Sequence, residues 1–248
     1  MANEIFDQKY GVFLGRTLLQ QRGKIGGNRF VFVVLNGNKN ELVFPTTGGV
    51  VKNPFKAGGK MYAGDLIEYR YNGGTTNGSD EAVCLLLKTF EVVGTVESAG
   101  TTVNIRRNGY RHIPEVGNIL MKAPDTLTGT GTAATVQSVE KTKVGSDDVW
   151  AITLSEAIGT LSDKDVLVEA AEAGADKKML VQNPNTMCPC DYDFPYTAND
   201  LDDEDDYDGA RYLLTPVLHG IAYVSRMSPM PKAVLARNKS LVTGWFEL

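Results

Sequence analysis

The chain has 248 residues, which suffices for one large domain or two small ones with a real hydrophobic core. Only 22% of the residues are charged and 26 are glycine, a composition typical of strands and tight turns. Three cysteines are too few for a disulfide framework, and no apolar run approaches the ~18 residues of a transmembrane helix. The first residues lack the basic start and apolar run of a signal peptide. We therefore expect a protein made in the cytoplasm, with reduced thiols.

Residues 1–96 have strand patterns and predict an N-terminal β-domain. Phe30 to Asn36 is a β-branched and aromatic run that ends at an Asn-Gly hairpin signal. Asp65 to Tyr71 alternates with period two, which predicts a half-exposed strand. Glu81 to Ser98 is the most apolar run; a strand is favoured there, although a short helix over 81–88 stays open.

Residues 97–172 predict a second β-domain, because short strand patterns follow one another with turns every 8 to 12 residues. Thr101 to Arg107 is expected to pair with Tyr110 to Ile113 across an Asn-Gly turn. Gly129 to Thr142 and Val149 to Ser155 are expected to form a second hairpin, and Asp165 to Ala170 is the closing strand. These strands predict a small barrel or sandwich.

Residues 173–210 are predicted to be a linker and an acidic loop. Between Asp191 and Asp208 there are nine acidic residues and no basic one, whereas the rest of the chain has 25 basic and 21 acidic residues. Glu204, Asp206 and Asp208 before a glycine resemble the start of a calcium loop, but its twelfth position is a threonine instead of a bidentate glutamate. A solvated, self-repelling loop is therefore favoured over a divalent-ion site or docking against a basic partner surface.

Residues 211–248 are predicted to supply C-terminal strands and a tail that complete the fold, with a short helix from about Lys232 to Lys239 after a proline suited to a first helical turn. The predicted fold class is thus all-β: two small β-barrel or β-sandwich units, a long acidic loop and a short C-terminal helix.

The residue types of catalysis do not form a recognisable pattern, so we expect no enzyme, no cofactor and no metal. His112 and His219 are far apart, and no serine lies in a nucleophile elbow. Cys188 and Cys190 form a Cys-x-Cys pair, but a zinc site usually has a second pair or added histidines. A basic stripe of the kind that binds nucleic acid is absent from the sequence, and we expect neither nucleic-acid nor membrane binding.

Two stretches resemble a known family. DVWAITLSEAIGTLSDKDVLVEA (148–170) and VLHGIAYVSRMSPMP (217–231) look like the capsid-attached domain of tailed-bacteriophage head-fibre proteins and resemble head decoration proteins in general style. The resemblance covers about residues 97–248. It implies an all-β domain without catalysis, attachment to the major capsid protein or other head proteins, and self-association as a dimer or trimer. It also implies a place on the capsid surface of a virion assembled in the host cytoplasm.

Contacts with other subunits are expected from open strand edges, from the aromatic C-terminal end and from basic residues near it. An open edge can accept a strand of a neighbour, and aromatic residues at an exposed end serve as interface hot spots. Packing of the aromatic end onto its own core is equally open. The candidate interface residues are Trp245, Phe246, Leu248, Arg226, Lys232 and Arg237.

Two other functions remain open on the sequence. The first is a carbohydrate- or cell-surface-binding β-module, because exposed aromatic side chains can stack on sugars. Its candidate residues are Tyr62, Tyr69, Tyr71, Tyr110 and Trp150. The second, weaker function is a hydrolase in which Asp147 or Asp148 works with Glu68, which requires two carboxylates ~5 to 10 Å apart in a cleft.

Overall fold

The structure, a computed structural model, describes residues 49–51, 55, 59–70, 82–108, 111–194, 213–217 and 227–237. These ranges hold many strands and one short helix, α1 (Lys232–Arg237), which confirms the predicted all-β fold and the C-terminal helix. The strands are β1 (Gly49–Val51), β2 (Gly59–Met61), β3 (Leu66–Arg70), β4 (Val83–Leu86), β5 (Thr89–Glu91), β6 (Thr102–Arg106), β7 (Ile119–Lys122), β8 (Gly131–Val144), β9 (Asp147–Leu154), β10 (Val166–Glu169), β11 (Gly174–Lys177), β12 (Thr186–Met187), β13 (Tyr192–Phe194) and β14 (Leu213–Leu214). Within the same ranges, no helix has the length and apolar character needed to cross a bilayer.

Six antiparallel strands form a closed barrel in the order β5-β10-β7-β8-β9-β6. The ring closes where Val92, just after β5, pairs with Ile105 of β6, and where the Val93 amide donates to the Asn104 carbonyl over 2.8 Å. Closure matters because it removes the free strand edges at which another chain can add. β11 adds to the first residues of β8 outside this path.

The barrel core follows from alternation along its strands. In β6, Val103 and Ile105 are fully buried, whereas Thr102 is exposed, because successive side chains of a strand point to opposite faces. The longest hairpin, β8–β9, turns at Gly145, whose φ of +60° suits a residue without a Cβ. A core cluster drawn only from residues 90–167 fills the barrel.

Five of the remaining strands form a second ring, built from segments that precede and follow the barrel in sequence. Its sheet has the order β12-β3-β4-β1-β14, with β1 and β4 parallel. Leu214 of β14 pairs with β1 at one edge, and three residues later Val217 pairs with Met187 of β12 at the other edge. The segment 213–217 therefore closes this sheet too, and β2 pairs separately with β13.

These pairings differ from the predicted domain boundaries. β5 and Val92 precede residue 97 yet belong to the barrel, and the described part of the predicted linker 173–210 contains β11, β12 and β13. The boundaries were placed by composition along the chain, whereas strand partners come from distant segments. The predicted hairpin between 101–107 and 110–113 is also wrong: β6 pairs with β9, and residues 111–113 lie outside the strands. The predicted strands at 30–36 and 41–44 and the acidic residues from 200 to 208 lie outside the described residues.

Candidate functional site

A buried carboxylate joins three separate parts of the fold. Asp65 lies in the turn that leads into β3, and its side chain is fully buried. It accepts hydrogen bonds from the Tyr62 amide (2.6 Å) and the Ser228 hydroxyl (2.5 Å), and it contacts His112 Nε2 at 2.9 Å. Ser228 belongs to the segment Met227–Pro231, which we call the C-terminal strap. Asp65 thus ties the second ring to the strap and to the loop that carries His112.

The protonation of His112 follows from its two partners. Its Nδ1 accepts a hydrogen bond from the Thr89 amide at 3.1 Å, so Nε2 carries the proton and donates to Asp65. A serine-histidine-aspartate triad places the histidine between the other two residues. Here the aspartate lies in the middle, and Ser228 donates to the carboxylate instead of the imidazole. This arrangement therefore lacks the serine–imidazole hydrogen bond of the triad, and we call the group of Asp65, His112 and Ser228 a clamp.

A second buried polar cluster lies in the barrel beside this clamp. Lys88 Nζ, with a side chain only 3% exposed, pairs with Glu169 Oε1 at 3.1 Å and lies 4.9 Å from the centre of the Phe55 ring. Asn118 Nδ2 donates to the same Glu169 oxygen at 3.1 Å. Breaking such a pair leaves a buried charge without compensation, so these residues hold the strands in one arrangement.

The loop Arg111–Gly117, which we call the anchored loop, presents apolar side chains to solvent. Ile113 is 46% exposed and Val116 is 58% exposed, two of the three large hydrophobic residues that are exposed in the described ranges. Three contacts with the barrel and the neighbouring turn hold the loop in place. Arg111 pairs with Glu91 at 3.0 Å, the Glu115 amide donates to Asn118 Oδ1 at 2.7 Å, and the Gly117 amide donates to the Val136 carbonyl at 2.8 Å.

This combination is typical of a contact surface. Exposed apolar side chains on a rigid backbone lose little conformational entropy when a partner covers them, because the backbone is already ordered. The anchored loop is therefore the strongest candidate functional site that the described part of the chain offers. It has no sequence periodicity, so the sequence did not single it out.

An ion-pair network supports the anchored loop from the barrel wall. Arg106 pairs with Glu91 (2.6 Å) and with Asp147 (2.8 Å), and the hydrogen bond to Glu91 raises the pKa of Arg106 further. Burial lowers the pKa of Arg111, the other partner of Glu91. Glu91 of β5 therefore binds two guanidinium groups, and its pair with Arg111 attaches the anchored loop to the barrel.

The aromatic residues predicted to stack on sugars do not form a groove in the described structure. Tyr62 is buried, and Tyr69 is half-buried against the core of the second ring. Tyr71 and Tyr110 lie outside the described residues. Trp150 is half-buried and packs against the barrel core, with Lys141 Nζ and the Arg107 guanidinium each 5.3 Å from its ring centre. These contacts hold the two cationic side chains over the ring of Trp150.

The carboxylates considered for hydrolysis are separated between the two rings. Asp147 and Asp148 lie in β9 and pair with Arg106 and Lys143. Glu68 lies in β3, where it is buried instead of half-exposed, and accepts hydrogen bonds from the backbone amides of residues 182 and 183. The structure does not bring these groups together.

The candidate interface residues fall mostly outside the described ranges. Lys232 is exposed at the start of α1, and Arg237 ends that helix with a side chain that is not described. The other four candidates lie outside the described residues: Trp245, Phe246, Leu248 and Arg226. His219 also lies outside them.

Two of the three cysteines, Cys84 and Cys188, pack in the core. Burial raises the pKa of the Cys84 thiol to about 12 and raises that of Cys188 well above its usual value. Cys188 donates to the Cys190 carbonyl at 3.0 Å, and burial also raises the pKa of the neighbouring Tyr192 hydroxyl. Among the described residues, no group of three histidine, cysteine or acidic side chains is placed to hold a metal ion. Cys84 and Cys188 thus behave as small apolar residues.

No sequence motif singles out Asp65, Lys88, Asn118 and Glu169 as members of a buried polar cluster. A weak signal was present, because Lys88 and Glu169 each interrupt a strongly apolar run. A charged residue inside such a run predicts a buried partner, but the sequence does not say which one.

Comparison with known proteins adds no relative: no protein-family model, no curated protein and no solved structure matches this chain.

Proposed function

We propose that the chain is a structural virion protein of a tailed bacteriophage, a capsid-attached head-fibre or decoration protein that binds the major capsid protein or other head proteins. The observation that carries the proposal is the anchored loop, where a rigid backbone exposes Ile113 and Val116. The sequence resemblance of residues 148–170 and 217–231 supplies the virion context. The chain works in this proposal as a dimer or trimer on the capsid surface.

The contact mechanism differs from the strand addition expected on the sequence. The barrel is closed and the second ring is closed by residues 213–217, so the described strands offer few free edges. Shape and apolar contact at a loop replace backbone pairing. A rigid barrel suits this role because a contact surface that does not reorganise loses less free energy on binding.

The proposal predicts that the chain is present in purified virions and that its attachment depends on the anchored loop. Ile113→Ser combined with Val116→Ser is expected to weaken binding to heads lacking the protein by about 10-fold or more, since loss of central apolar contacts costs on the order of 1–2 kcal/mol. Mass spectrometry of virions and a sedimentation assay with fluorescent protein measure the two outcomes.

Val144→Ser is the matched control, because Val144 is 38% exposed and lies in the β8–β9 hairpin, outside the anchored loop. This variant is expected to bind heads as the unchanged protein does. Light scattering of both proteins reports whether self-association survives. Absence of the chain from virions, or equal binding of the loop variant and the control, contradicts the proposal.

A further inference from the structure

A small cleft lies where the barrel, the turn before β3 and the C-terminal strap meet. Its volume is about 10 Å³, close to the space that one water molecule needs. Its polar lining comes from one residue of each part: Thr89 of β5, Asp65 of the turn and Ser228 of the strap. Leu87 and Met227 contribute apolar walls.

Thr89, one of the lining residues, has a buried hydroxyl group. The residue is 2% exposed, and within the described ranges its Oγ1 has no hydrogen-bond partner. Its backbone amide is used separately, in the bond to His112 Nδ1. A buried hydroxyl without a partner is costly, and native proteins usually satisfy such groups with protein atoms or an ordered water.

We propose that this cleft binds a single ordered water, which hydrogen-bonds to Thr89 Oγ1 and bridges β5 to the polar groups contributed by Asp65 and the strap. Three polar residues surround the space, which matches the two to four partners that a buried water requires.

The same geometry excludes a metal cation and a larger ligand. The Asp65 carboxylate already interacts with three donors, and among the described residues no second acidic, histidine or cysteine ligand set is placed for a metal. The volume leaves no room for an organic molecule. A neutral donor and acceptor of the size of water fits both the Thr89 hydroxyl and the carboxylate.

The water adds a hydrogen-bonded link between β5 and the strap to the apolar packing of Met227 against barrel residues such as Met121 and Val168. Ser228 connects the strap to Asp65, and the water connects it to Thr89 in β5. α1 follows the strap directly and begins with a bond from the Leu235 amide to the Pro231 carbonyl. Loss of the water is therefore expected to increase opening of the strap and of the first turn of α1.

Crystal structures of the full chain at high resolution test the site, together with two variants. Thr89→Val removes the hydroxyl with little change in shape, and Thr89→Ser keeps it. We expect a solvent peak within hydrogen-bond distance of residue 89 Oγ in the unchanged protein and in Thr89→Ser, and no such peak in Thr89→Val. Exchange of the Leu235 amide is expected to be about threefold faster or more in Thr89→Val.

Thr186→Val is the matched control, because Thr186 is equally buried but donates directly to the Ile67 carbonyl at 3.0 Å. It is expected to leave the peak unchanged. The proposal is overturned if Thr89 Oγ1 bonds to a protein carbonyl and the cleft shows no peak. It is also overturned if the peak persists in Thr89→Val or disappears in the control. Should Thr89→Val fail to fold, the presence or absence of the solvent peak in the unchanged protein and in Thr89→Ser still decides whether the water is bound.

Discussion

Asp65 illustrates how one side chain can hold a fold together. Three donors from three segments converge on its carboxylate: the Tyr62 amide, His112 and Ser228. Each hydrogen bond adds modestly to stability, but removal of the acceptor leaves several buried donors without a partner at once. The contribution that these hydrogen bonds make is to the free energy of unfolding.

Asp65→Asn is expected to destabilise the protein by about 2–4 kcal/mol, because the amide keeps the shape of the side chain but turns one acceptor into a donor that faces other donors. Urea unfolding followed by circular dichroism measures this loss. Asp125→Asn is the control, since Asp125 is exposed. Equal stability of the two variants contradicts the role assigned to Asp65.

Lys164 has a backbone conformation that its side chain disfavours. Its φ is +67°, in the left-handed region where glycine is favoured. Lys164→Gly is expected to stabilise the protein by about 0.5–1 kcal/mol, after the entropic cost of glycine in the unfolded chain is counted. Lys178→Gly, at an exposed residue without positive φ, is expected to destabilise it by about 0.5 kcal/mol. Thermal unfolding of both variants measures the contrast, and a melting temperature lowered by both shows that the strain is absent.

At the scale of elements, closure of the barrel depends on β6. This strand pairs along its length with β9, and through Ile105 it meets Val92 from the other end of the sheet. Ile105 is therefore a neighbour of both sides of the closing seam and is 1% exposed. The backbone of β6 completes the ring, and its buried side chains fill the core of the barrel.

Ile105→Ala is expected to cost about 2–5 kcal/mol, because the lost methyl groups leave a cavity in a closed core that collapses only in part. Ile113→Ala removes the same atoms from the anchored loop, where they are 46% exposed, and is expected to change stability by less than about 0.5 kcal/mol. Chemical unfolding of the two variants separates a core isoleucine from a contact isoleucine. A large loss in Ile113→Ala means that this side chain packs within its own chain.

At the scale of the whole molecule, the barrel is a continuous piece of chain and the second ring is not. The barrel core uses residues 90–167 only. The core of the second ring joins Ile67 and Cys84 to Cys188 and Leu214, more than a hundred residues later. Another cluster, which includes Leu66, Val168 and Val234, joins both units to the C-terminal segment.

A chain that ends at Asn185 is expected to keep the barrel and lose the second ring, because β12, β13, β14 and the strap are removed while the barrel core stays complete. Hydrogen exchange read by NMR should show protected amides at Ile105 and Ile152 and unprotected amides in β3. Protection of Ile67 equal to that in the full chain contradicts the pairing of β3 with β12.

The all-β class, the β8–β9 hairpin, the strand β10 and the helix at Lys232 were predictable from the sequence, because each depends on local alternation, turn residues or a proline at a helix start. The predicted role of β10 as the closing strand is wrong, since β10 lies between β5 and β7 and the ring closes between β5 and β6. Local patterns work here since neighbouring residues alone decide which face of a strand each side chain takes.

Only the tertiary structure decided which strands pair, where the units divide and which polar residues are buried. The pairing of β3 with β12, the ring made from segments before and after the barrel, and the clamp at Asp65 all join residues that are distant in sequence. Hydrophobic alternation is the same for any partner strand, so it does not specify the partner. Complementary packing and the satisfaction of buried polar groups make that choice, and both exist only once the chain has folded.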